Sequence, residues 1–96
     1  MGELGGLTAP DVLETSLSLI TGDRAKQNGA MRENHRNIAR LWGAYLEMPL
    51  KEEQVALMMV LLKVARTKQG RFNEDDYVDM AGYAAIGGQL ADVCDD

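Results

Sequence analysis

Residues 55–65 read Val-Ala-Leu-Met-Met-Val-Leu-Leu-Lys-Val-Ala, and nothing polar interrupts the run from Val55 to Leu62. That run is far short of the roughly 20 apolar residues needed to span a bilayer. Its Leu, Met and Ala content favours a helix over a buried strand. Glu52 and Glu53 stand at its N-terminal end and Lys63 and Arg66 at its C-terminal end, the placement that compensates a helix dipole. A helix apolar around its whole circumference is surrounded by other helices or by subunits. The stretch therefore predicts an all-α fold in which this helix is central.

The flanking sequence supplies three further helices, giving a bundle of four main helices. Downstream, Thr67–Phe72 reads as a loop around Gly70, and Asn73 with Asp76 offers a capping box that opens a helix through about Val93. Gly82, Gly87 and Gly88 weaken that helix and point to close backbone approach by a neighbour or to local unwinding. Upstream, Ile38, Leu41, Trp42 and Tyr45 fall at i, i+3, i+4 and i+7, an amphipathic helix ended by Pro49. Residues Asp23–Gly29 are polar and read as a loop. Thr8 as N-cap, Pro10 in the first turn and Asp11 closing a capping box start the first helix, whose stripe is Leu13, Leu17 and Ile20 and whose stop is Gly22. The expected organisation is a flexible N-terminus over 1–7, one helical domain over 8–93 and an acidic tail over 94–96.

Ninety-six residues, 46% of them hydrophobic, suit a single small domain that is marginal as a monomer. Six Met residues supply adaptable apolar surface, so a homo-oligomer is expected. The lone Cys94 excludes an internal disulfide and argues against a Cys-based metal site, which fits a reducing compartment. The N-terminus has no basic segment followed by an apolar run, so the expected location is the host cell cytosol, with no membrane association. The Met-Gly start lacks the Ser or Thr that a myristoylation signal wants at Gly6. A net charge of −5 argues against binding of extended duplex nucleic acid.

Asp76 and Asp79 are three residues apart and Asp75 and Asp79 four apart, which sets carboxylates on one helix face, a pair of a kind that holds Mg²⁺. If the last two helices form an antiparallel hairpin about Thr67–Phe72, Glu53 lies about ten residues of rise, roughly 15 Å, from Asp79, too far to share a metal. The same hairpin sets Lys63 and Arg66 level with Asp76 and Asp79. Two readings stay open. One is an interhelical salt-bridge cluster with capping. The other is a phosphate or metal-nucleotide site in which Lys63 and Arg66 meet phosphate oxygens, Asp79 meets a cation or sugar hydroxyl, and Tyr83, one turn on, stacks a base. Arg32, Arg36 and Arg40 form a stripe turned away from the Ile38/Trp42 side. It is either a solvated face or, helped by Arg24 and Lys26 in the preceding loop, an anion-recognising surface for a nucleotide, a nucleic-acid backbone or an acidic partner. His35 reads as a core or boundary residue. No P-loop, dinucleotide fingerprint, zinc-ligand spacing or nucleophile elbow is present.

The segments GDRAKQNG (22–29), ENHRNIARLWGAYL (33–46), VALMMVLLKVAR (55–66) and DDYVDMAGYAA (75–85), in that order, resemble a family of small phage and prophage proteins of unknown function. The likeness covers most of residues 11–90. Relatives of this type are described as nucleotide-modification-associated and as distant cousins of the all-α nucleotide pyrophosphohydrolases. That resemblance implies a phage-encoded nucleotide-handling protein. The cousins bind their metals with about four carboxylates, written ExxE on one helix and ExxD on the next, whereas this chain offers Asp76 and Asp79. The family pattern has an aromatic where His35 stands, a Tyr where Asn28 stands and often an Asp where Gln54 stands. The expected function is binding of a nucleotide phosphate, with pyrophosphohydrolase-like chemistry implied by the resemblance alone. The alternative is a non-catalytic phage accessory or counter-defence protein that binds a host macromolecule through the acidic lobe or the arginine stripe.

Overall fold

The computed structural model describes residues 6–22 and 31–92, which form four α-helices and no strand. They are α1 (Ala9–Thr21), α2 (Met31–Leu46), α3 (Glu52–Arg66) and α4 (Glu74–Ala91). The expectations placed on the first five residues, on the 23–29 loop with Arg24 and Lys26, and on the 94–96 tail with Cys94 lie outside the described residues.

The helix ends follow local chemistry. At the start of α1 the Thr8 hydroxyl accepts from the Asp11 N–H at 3.2 Å while the Asp11 carboxylate accepts from the Thr8 N–H at 3.0 Å. This is the capping box expected from the sequence, and the Thr8 N–H is the first cause holding the Asp11 carboxyl below its ordinary value. At the end of α2, Glu47 turns to φ 59°, in the left-handed region. The Met48 N–H then reaches the Gly43 carbonyl at 3.0 Å and the Glu47 N–H the Ala44 carbonyl at 3.3 Å, a Schellman termination. A Cβ on Gly43 would stand 2.8 Å from the Met48 carbonyl oxygen, so this turn requires glycine there. The chain has left the helix before Pro49 constrains it. The Gln54 side chain caps α3 by accepting from the Lys51 N–H at 2.7 Å. For α4 the Asn73 side chain accepts from the Asp75 N–H at 3.0 Å. The box expected with Asp76 does not form, because that carboxylate is turned to Arg66.

The helices pack in the spatial order α1, α4, α3, α2. Two glycines let α4 thread between its neighbours. A Cβ on Gly82 would lie 3.1 Å from Ser16 Oγ of α1, and one on Gly87 would lie 3.4 Å from Ala56 Cβ of α3. Gly88 meets nothing within 4 Å, so only two of the three glycines answer to close approach. Val55 and Ala56 of α3, Val78 and Leu90 of α4 and Ala39 of α2 form the buried core. Full burial of Val55, Val78 or Leu90 stabilises by roughly 1.5–3 kcal/mol each.

Helix α3 is one of the two inner helices, yet its neighbours cover one side of it. Leu57, Met58, Leu61, Leu62 and Val64 stand exposed, Leu61 by 66%. Two expected apolar stripes are split, with Ile20 of α1 and Ile38 and Trp42 of α2 half-buried and the rest facing outward. Leu13 and Leu17 are 62% and 60% exposed, because α1 presents Ser16 and Ile20 to Gly82 instead. Leu41 and Tyr45 are 63% and 87% exposed, because α2 buries His35, Ala39 and Gly43. Among the described residues no helix is long and apolar enough to cross a membrane.

Candidate functional site

The α3–α4 hairpin brings together the four charged residues singled out in the sequence. Lys63 Nζ lies 3.2 Å from Asp79 Oδ2, and Arg66 Nε lies 3.4 Å from Asp76 Oδ1. The two pairings run in opposite directions along the chain, the mark of an antiparallel hairpin. Asp76 is buried, only 5% exposed, so Arg66 and the amino end of α4 are what its charge rests on. Asp79 and Lys63 are both part-buried.

A divalent ion at Asp76 and Asp79 does not fit this arrangement. Each carboxylate is already engaged by a different cation, and no group of three or more His, Cys, Asp or Glu side chains that could hold a metal occurs among the described residues. A Mg²⁺ site needs oxygen ligands converging from several directions.

Lys63, Asp79 and Tyr83 do share something else. They line a cleft of about 730 Å³ to which all four helices contribute. Its apolar floor includes Val55 and Met59 of α3 and Val78 and Ile86 of α4. Polar groups rim it: Ser16 from α1, Asn37 from α2 and Gln89 from α4. Arg66 and Asp76 do not line it.

His35 borders the cleft as well, with the residue only 7% exposed. Its Nδ1 lies 3.0 Å from the Met31 carbonyl oxygen and donates to it. His35, expected from the sequence as a core or boundary residue, is buried here, whereas Ser16, Asn37 and Gln89 were not expected at a site. The available signal was weak: Asn34, Asn37 and Ile38 share a helical face, which reads as an ordinary amphipathic boundary.

The arginine stripe is divided. Arg32 Nη1 donates to Glu52 Oε1 at 3.0 Å and Arg36 Nε to Glu52 Oε2 at 2.8 Å, tying α2 to the first turn of α3. The Arg36 hydrogen bond, outweighing the cost of desolvation and joined by the charges of Arg36 and Arg32, holds the Glu52 carboxyl below its ordinary value. The same hydrogen bond raises the Arg36 guanidinium above its ordinary value. Arg40 makes no ion pair among the described residues. It borders a second, more open hollow of about 820 Å³ between the α2–α3 turn and the end of α4, where Glu47 and Glu53 offset Lys51 and Arg40.

Comparison with known proteins places this architecture in a phage setting. The chain is 45% identical over 76 residues to the Gene 55 protein of Mycobacterium phage L5, a match that covers 78% of this chain and 49% of that relative. It is 44% identical over 73 residues to the Gene 55 protein of Mycobacterium phage D29, covering 76% and 48%. The chain thus spans about half the length of these curated relatives. No solved structure matches it. Residues 11–91, all four helices less Ala9 and Pro10 of α1, carry the sequence pattern of the domain of unknown function DUF6378, and the chain belongs to that family.

Proposed function

We propose that this phage-family chain handles a nucleotide, binding it in the four-helix cleft with the base inside and the phosphate at Lys63. The observation that carries the reading is the cleft itself. A volume of about 730 Å³ falls in the range of roughly 300–1,000 Å³ typical of small-molecule sites. An apolar floor with a few convergent polar groups suits a flat heterocycle bearing hydrogen-bonding edges. Tyr83 supplies a ring to stack on it, the Asn37 and Gln89 amides supply donors and acceptors, and Lys63 stands where a phosphate would meet an ammonium. Binding is the whole of the proposal. Pyrophosphohydrolase-like chemistry would need a carboxylate cluster, and Asp76 and Asp79 are spoken for by Arg66 and Lys63.

The alternative, a non-catalytic protein that binds a host macromolecule through the acidic lobe or the arginine stripe, draws less support at the stripe, since Arg32 and Arg36 are committed to Glu52. The exposed apolar side of α3 supports homo-oligomerisation alongside either reading.

Thermal denaturation in the presence of nucleosides and nucleoside phosphates tests the reading, because a ligand that binds only the folded chain raises the melting temperature. The expected result is a rise of several degrees at millimolar ligand, abolished in Tyr83→Ala. No rise with any nucleoside or nucleotide would sink it.

A further inference from the structure

Between Tyr77 and Gly88 the one charged residue is Asp79, and it lines the cleft. The opposite side of α4 presents Tyr77, Ala81, Ala84 and Gly88 at i, i+4, i+7 and i+11, a single face without charge. Tyr77, Ala84 and Gly88 are exposed and Ala81 is half-buried. Helix α3 extends this surface. Leu57 Cδ2 stands 3.8 Å from where a Cβ on Gly87 would lie. Leu61 and Val64 follow Leu57 at i+4 and i+7, and in the antiparallel hairpin they run beside Ala84 and Ala81. At the hairpin tip Phe72 stacks on Tyr77, with ring centroids 5.9 Å apart.

The face is large enough to form an interface. Leu57, Leu61, Val64, Phe72 and Tyr77 are 52, 66, 39, 69 and 43% exposed. A large apolar side chain presents on the order of 200 Å², so those fractions leave roughly 500 Å² in the open, more than half of the ~800 Å² per partner that a specific interface buries. The small residues of α4 add to it. A spacing of four, three and four residues is that of a seam between two helices packed at a shallow angle. Along this seam the side chains taper from Tyr77 through two alanines to Gly88, where a Cβ would meet nothing within 4 Å. A tapered seam fits its own reversed copy. About a two-fold axis midway between Ala81 and Ala84, Tyr77 of each copy meets Gly88 of the other, and Ala81 meets Ala84. A parallel pairing sets Tyr77 on Tyr77 and leaves a hollow at Gly88.

We infer that this face takes a second copy of the chain, with the two α4 helices antiparallel and Tyr77 of each copy lying over Gly88 of the other. Leu57, Leu61 and Val64 of both copies flank the seam. The inference stands apart from the nucleotide reading, because the cleft opens on the other side of α4 and stays accessible in the pair.

Pulsed dipolar spectroscopy tests the geometry, with a spin label at Arg71→Cys in a Cys94→Ser chain. An antiparallel pair carries the two hairpin tips to opposite ends, so a separation of roughly 35 Å is expected at 1.5 Å of rise per residue on either side of the axis. Tips less than about 20 Å apart, as in a parallel pair, or no measurable coupling, overturn the inference. Ala84→Lys tests the surface itself. The position is exposed and outside the cleft, and lysine is a good helix former, so helicity by circular dichroism should be kept. Sedimentation should show self-association weakened by about tenfold or more, since a charge is then buried against its own copy. A folded Ala84→Lys chain that associates as strongly as the parent overturns the inference and leaves nucleotide binding untouched. Any thermal shift the parent shows with nucleotides should persist in this variant, and its loss would mean that the cleft and this face are not independent.

Discussion

Glu47 adopts a backbone conformation that glycine takes at little cost and other residues take at roughly 1–2 kcal/mol. Its side chain is exposed and makes no hydrogen bond or ion pair among the described residues that would repay that cost. Glu47→Gly should therefore stabilise the fold by about 1 kcal/mol, read as a rise of roughly 4–8 °C in Tm. Glu52 gives a pH dependence with a defined sign. Its carboxyl is held below its ordinary value of 4.5, so its contribution to stability is complete above that value and is lost as pH falls through the lower folded-state value. Acid titration followed by circular dichroism should show a steeper loss of stability below about pH 5 in the parent chain than in Glu52→Gln. Asp11 acts in the same direction and survives in that variant, so the slope is reduced and not abolished.

At the scale of elements, α4 is positioned by what it lacks. The absence of side chains at Gly82 and Gly87 lets α1 and α3 approach it, while Gly88 faces open space. Gly87→Leu should push against Ala56 and Leu57 and cost about 1–3 kcal/mol, whereas Gly88→Ala should gain up to about 1 kcal/mol from helix propensity alone. Urea denaturation of the two variants distinguishes these opposite signs. The Thr8–Asp11 box and the juxtaposition of Lys63 with Asp79 and of Arg66 with Asp76 were legible in the sequence, because each depends on spacing within one helix or one hairpin. The inward faces of α1 and α2 were not. Periodicity finds the apolar side of a helix, but α1 docks through Ser16 against Gly82, and α2 buries the small Ala39 and the polar His35. The cleft escaped for the same reason: its rim is gathered from four helices whose relative placement no local pattern encodes. Likewise, nothing in the arginine spacing announced that Glu52 would occupy two of the three.

The whole molecule measures 49 × 28 × 24 Å, so its thinnest direction is about two helix diameters of roughly 10–12 Å. A body that thin cannot cover α3 from all sides, which is why the helix that carries the unbroken apolar run Val55–Leu62 keeps Leu57, Met58, Leu61 and Leu62 exposed. A contiguous apolar surface of this kind on a small chain favours association. Sedimentation analysis should find the parent chain self-associated and Leu61→Glu shifted toward monomer with its helicity retained. A variant that associates as strongly as the parent would move the interface elsewhere.

The order α1, α4, α3, α2 also separates the molecule by how its parts come together. Helices α2, α3 and α4 meet as successive neighbours along the chain, while α1 must return across the length of the sequence to reach α4 and does so through the Ser16–Gly82 seam. Non-local docking of this kind is the last contact to form and the first to open. Native-state hydrogen exchange should therefore find the amides of α1 opening at lower free energy than those of α3 and α4. Because Ser16, Leu19 and Ile20 wall the cleft, each such opening is also a door.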